Sequence, residues 1–154
     1  MTKNFGLKIV SGLIFVLMVS GCTKIPIPMD AVKNNDVKTV MKAIEKGADV
    51  NAKDKDSMTA LIWAAIKNSI EVAKLLIEKG ADVNAKIDIS DVVDGGLTVL
   101  MIAVGSDSLE IAKLLIEKGA NVNAKDKKGG TALMGAKKKG HQQMVDLLKK
   151  HGAK

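Results

Sequence analysis

A chain of 154 residues with one Cys, two His and no Arg or Tyr holds few groups for covalent chemistry. Cys22 closes an apolar run (IVSGLIFVLMVSGC, from Ile9), far in sequence from His141 and His151. One Cys excludes an internal disulfide, and two His with one distant Cys do not make a structural zinc site. Asp88, Asp91 and Asp94 recur at every third residue, whereas a calcium loop alternates its acids and ends in a distant Glu. The default reading of that trio is a solvated loop. No triad, paired-carboxylate motif or phosphate loop is present, so the sequence argues against an enzyme and calls for no cofactor, metal or small-molecule substrate. All 24 basic residues are Lys, which lacks the planar fork that reads guanine edges, so the formal charge of +7 is weak ground for nucleic acid.

The chemistry left is recognition, and the elements that would carry it are written as a repeat. GADVNAK occurs at Gly47 to Lys53 and again at Gly80 to Lys86, and returns as GANVNAK at Gly119 to Lys125. Each of Gly47, Gly80, Gly119 and Gly152 closes a segment of one design: VKTVMKAIEKG, IEVAKLLIEKG, LEIAKLLIEKG and QQMVDLLKKHG. In the second, Val72, Leu75 and Leu76 fall on one helical stripe while Glu71, Lys74 and Glu78 face away. Asp36, Ser69, Ser108 and His141 stand where these helices start, and the glycines can take the left-handed conformation that ends them. A second apolar segment opened by Thr59, Thr98 or Thr131 precedes three of them, which predicts two helices per repeat. Helices this short cannot bury their stripes alone, so the repeats must stack.

The period of 33 between Gly47 and Gly80, the Thr-x-Leu openings and the GADVNA closings resemble the ankyrin-repeat family over residues 30–154. The resemblance implies an all-α solenoid of stacked helix-turn-helix units with β-hairpin fingers, in about four repeats, with Asp30 to Lys46 as a truncated first repeat and cap. Where the family has Thr-Pro-Leu-His, this chain has Thr59-Ala60-Leu61-Ile62, Thr98-Val99-Leu100-Met101 and Thr131-Ala132-Leu133-Met134. Losing that His puts the rigidity of the turns in doubt. His141 takes the family's Gly-His position, which implies packing and hydrogen bonding inside its own repeat. Trp63, the only aromatic beyond the first twenty residues, falls where the family usually has a packed apolar residue.

Such stacks bind proteins on a concave surface of finger tips and inner helices. Carried over by position, the contact residues are Lys55, Asp56, Met58, Ile66 and Lys67 in the second repeat, and Lys127, Lys128, Gly130, Lys138 and Lys139 in the last. The partner protein is unknown, and with so few aromatics here the partner is expected to supply the anchors. The lysine runs of the last repeat admit two readings. One is the polar face that a terminal repeat needs, and the other is a patch for an acidic partner or anionic lipid.

Asn51 to Thr59 and Asn123 to Thr131 are each eight residues apart, but Asn84 to Thr98 is fourteen, so the six extra residues lie in one finger. That finger carries Ile87, Ile89, Val92, Val93 and Leu97 among three Asp and no Lys. Loops tolerate added length, so drift is one explanation. The apolar content points instead to an extended finger that meets a partner.

The first 21 residues have a signal-peptide layout, too short to span a bilayer comfortably. Val19-Ser20-Gly21-Cys22 resembles the lipobox of bacterial lipoproteins, which implies cleavage before Cys22, lipidation of its thiol and a membrane anchor for the mature chain. Removing Lys3 and Lys8 with no acid lowers the formal charge from +7 to +5. Residues 22–29, with Pro26 and Pro28, read as a short tether. Thr23 implies outer-membrane sorting in a Gram-negative envelope. The functional expectation is a membrane-tethered adaptor or scaffold, with an inhibitor or immunity protein that blocks a toxin or enzyme outside the cytoplasm as the alternative.

Overall fold

Apolar residues at helical spacing between Thr and Gly signals produce eight short helices in the computed structural model, which describes residues 26–87 and 95–154. The signal segment, Cys22 and the finger residues Ile89, Val92 and Val93 lie outside the described residues. The order is α1 (Met29–Lys33), α2 (Val37–Glu45), α3 (Ala60–Lys67), α4 (Ile70–Glu78), β1 (Lys86–Ile87), β2 (Leu97–Thr98), α5 (Val99–Gly105), α6 (Leu109–Glu117), α7 (Ala132–Lys139) and α8 (Gln142–Lys150). Inner helices α1, α3, α5 and α7 pack in a row, and so do outer helices α2, α4, α6 and α8. The core runs between the rows as one apolar cluster, and Val72, Leu75 and Leu76 lie in it as the stripe predicts.

Each inner helix after the first is opened by its Thr. The hydroxyls of Thr59, Thr98 and Thr131 accept hydrogen bonds from the amides of Ile62, Met101 and Met134 at 3.2–3.3 Å, so these turns are fixed without the family's His. Outer helices behave differently. Asp36 caps α2 through Thr39, but Ser69, Ser108 and His141 begin their helices without a side-chain cap. Ser108 instead donates to the Ala65 carbonyl at 3.3 Å in the preceding repeat. His141 makes the equivalent link, with Nδ1 3.2 Å from the Val104 carbonyl oxygen and 3.3 Å from Asp107 Oδ1. The expected bonding inside its own repeat is thus corrected: the ring ties two repeats together.

Four letters of the repeated GADVN, all but the Val, have a defined structural task. Gly80 sits at φ +90°, a left-handed turn that an L side chain would strain. Ala48, Ala81 and Ala120 are buried. Asp49 and Asp82 accept from the amides of Asn51 and Asn84 at 2.9 Å. The Asn then reaches across to the turn that closes the following outer helix: Asn51 Nδ2 donates to the Gly80 carbonyl at 3.1 Å, and its Oδ1 accepts from the Asp82 amide at 2.8 Å. Asn84 does the same with Gly119 and Asn121, and Asn123 with Gly152 and Lys154. Backbone groups freed where each outer helix ends are thereby satisfied by the Asn of the preceding finger.

The N-terminal boundary also shifts. Ile27 is buried in the core and Pro28 precedes the first turn of α1, so the folded part begins ahead of Asp30 and includes the last residues of the expected tether.

Candidate binding surface

The inner helices and fingers meet on one side, and the second repeat shows how they are joined there. Asp54, in the finger, accepts at Oδ1 from the amides of Asp56 (2.9 Å) and Met58 (3.0 Å), which fixes the finger turn. Its Oδ2 accepts from the Trp63 indole N–H at 2.6 Å. Lys33, from the first repeat, places its ammonium 4.0 Å from the centre of the indole ring, within cation–π range. Partial burial raises the Asp54 carboxyl, but the indole, the two amides and the Lys33 charge outweigh it and hold the group below the usual aspartate range. Trp63 is therefore half-buried and spans from helix to finger rather than sitting in the core.

The fourth repeat has the same finger but a different floor. Asp126 Oδ1 accepts from the amides of Lys128 (2.8 Å) and Gly130 (2.7 Å), as Asp54 does from its own turn. Trp63 stands four residues after Thr59, and the residue four after Thr131 is Gly135. Lys33 stands two residues before the left-handed Asn35, and its counterpart before the left-handed Asp107 is Gly105. Both members of the Lys–Trp pair are thus replaced by glycine. What remains is a groove of about 510 Å³, floored by Met101, Val104, Ala132 and Gly135, edged by Leu97 and Met134, and bordered by Asp126, Lys128, Lys138 and Lys139. Met134 is 58% exposed, and Lys139 donates from Nζ to the Gly105 carbonyl at 2.6 Å.

Of the residues singled out in the sequence, Leu97, Lys128, Gly130, Lys138 and Lys139 come together around this groove. Lys127 is exposed beside it, with its side chain over Gly95 and its amide donating to the Gly95 carbonyl at 3.1 Å. Lys55, Asp56 and Lys67 are exposed in the second repeat, and Met58 and Ile66 are half-buried. Ile87 is a correction. It is 7% exposed and belongs to the core, because β1 pairs antiparallel with β2 (Ile87 opposite Leu97) and the Gly96 amide donates to the Ile87 carbonyl. The base of the long finger is therefore sheet, and a buried Ile87 cannot face a partner. Ile89, Val92 and Val93 lie outside the described residues.

Sequence reasoning missed Met101, Met134, Gly105, Gly135 and Asp126. The available signal was the contrast of Trp63 with Gly135 at one offset from Thr. Among the described residues no group of three or more His, Cys, Asp or Glu could hold a metal ion. None of the described helices is long and apolar enough to cross a membrane.

A family model described as ankyrin repeats, in three copies, matches residues 13–87 and 85–154. The chain belongs to the ankyrin-repeat family, whose repeats mediate protein–protein interaction. No curated protein matches it significantly.

Proposed function

We propose that the chain is a membrane-tethered protein-interaction module of the bacterial cell envelope, anchored by lipid on Cys22. The observation that carries the binding half of this reading is the groove in the fourth repeat, where Met134 lies exposed beside an apolar floor at the meeting of finger and inner helix. Exposed apolar surface rimmed by charge is a feature of interaction sites. The anchoring half rests on the lipobox-like Val19 to Cys22 at the end of an apolar run. In a Gram-negative cell Thr23 favours the outer membrane.

Two or three acyl chains on one residue suffice for stable attachment. The folded part begins only a few residues beyond Cys22, which would hold the repeats close to the lipid. Changing Cys22→Ser is expected to abolish incorporation of labelled palmitate and release the folded protein from washed membranes. A wild-type protein that carries no lipid and fractionates as soluble would refute the anchor and leave the binding reading to be judged separately.

A further inference from the structure

The second and fourth repeats present the same acceptor to different surroundings. Asp54 Oδ2 is taken by the Trp63 indole, whereas no described residue donates to Asp126 Oδ2. Asp126 and Gly135 line the same groove, and by position a side chain at 135 would stand where Trp63 reaches Asp54 in the second repeat. A Cβ added at Gly135 would meet only Val104 Cγ1 at 3.8 Å, ordinary van der Waals distance, so this space is open to a ring. Met101 and Met134 line it with polarizable sulfur, which packs well against aromatic edges and adapts to what enters. Lys139, held at the Gly105 carbonyl, brings a cation to the side from which Lys33 covers Trp63 in the second repeat.

We propose that the groove receives from the partner protein the group that the second repeat supplies for itself: an aromatic side chain with an N–H or O–H donor, an indole above all, on an acidic segment. The ring lies over Gly135 between the two methionines and donates to Asp126 Oδ2, while Lys138 and Lys139 meet the flanking carboxylates. This rests on the protein-binding reading and names the chemistry of its partner. Tyr and Trp combine large apolar area with one polar tip, which is what a floor of Met, Ala and Gly with a single carboxylate acceptor selects. The charge of Asp126 strengthens that one bond relative to a neutral acceptor.

The test uses the full chain in detergent with its methionine methyls labelled for NMR, and a synthetic pentapeptide of Trp between pairs of Asp. The expected result is a saturable shift of the Met101 and Met134 methyls with Met41 of α2 unmoved. Binding should weaken about tenfold or more when the peptide Trp is changed to Ala, as for an interface anchor. It should also weaken when the flanking Asp residues are changed to Lys, and be lost in Gly135→Trp, where the groove is filled from within. Methyls unmoved at millimolar peptide, equal binding of the Ala or Lys peptide, or binding that persists in Gly135→Trp would each overturn the proposal. The comparison of peptides on the unaltered chain decides the matter even if Gly135→Trp folds poorly. A failed peptide together with a protein cross-linked to the groove in envelopes would remove the aromatic anchor and leave the protein-binding reading intact.

Discussion

Asp54 and Asp126 hold their finger turns in the same way, yet only Asp54 has an aromatic on its second oxygen. At Asp54 this arrangement couples charge to stability. The Asp54 carboxyl is held below its ordinary range, so the folded state favours the ionised form, and this contribution is present above the unfolded-state value and lost as pH falls through the lower folded one. Replacing Asp54→Asn is therefore expected to lower the melting temperature near neutral pH, with the gap to wild type closing on acidification below about pH 4. Parallel thermal melts across pH check it, and a gap that stays constant would show that the carboxylate charge contributes nothing to the joint. Trp63 fluorescence offers a second readout, because the indole loses its charged acceptor in the same variant.

The helices and their links differ in how they resist substitution. Leu75 is buried in the core on α4, a helix packed between α2 and α6, so Leu75→Ala removes apolar contact and leaves a cavity, an expected cost of about 2 to 5 kcal/mol. Asn84 lies exposed and joins two repeats through two hydrogen bonds, of which the 3.5 Å bond to Gly119 is long. Asn84→Ala is expected to cost less, about 1 to 2 kcal/mol, since exposed groups regain water when the bond is lost. Denaturant melts of the two variants test the order, and a larger loss from Asn84 than from Leu75 would mean that the fingers rather than the helix stripes hold the stack.

Much at this scale was legible in advance. Thr and Gly bracket helices through interactions within a few residues, so Thr59 and Gly80 mark ends that the structure keeps. The Asn51, Asn84 and Asn123 links were not legible, because each acts on a residue about thirty positions away and nothing local announces it. Ile87 misled for a related reason. Its composition suited a partner-facing finger, but β pairing continues the finger base into the core and turns the side chain inward.

Across the whole molecule, the inner surface changes character from one end of the stack to the other. Near the first repeat it is filled by Trp63 under Lys33, and near the last it is emptied by Gly105 and Gly135. The positive charge of the folded part is concentrated in its last repeat, where residues 121–154 hold nine Lys against Asp126 and Asp146, with the runs Lys127-Lys128 and Lys137-Lys138-Lys139 at the emptied end. Both trends place the docking end away from the N-terminal repeat and its proposed lipid attachment, so an anchored molecule would leave the groove open to a partner. The groove itself could not be read from periodicity, since it is made by what two positions lack rather than by what they carry.

The central claim is that this emptied end of the inner surface meets a protein. Its most direct test is photo-cross-linking in intact envelopes, with a photoreactive residue in place of Met134 in one full-length variant and in place of Glu78, exposed on α4, in another. The account predicts a discrete protein adduct from position 134 and none of the same mass from position 78. Adducts of equal yield from both positions, or an adduct from position 78 alone, would contradict it and place the binding surface on the outer helices.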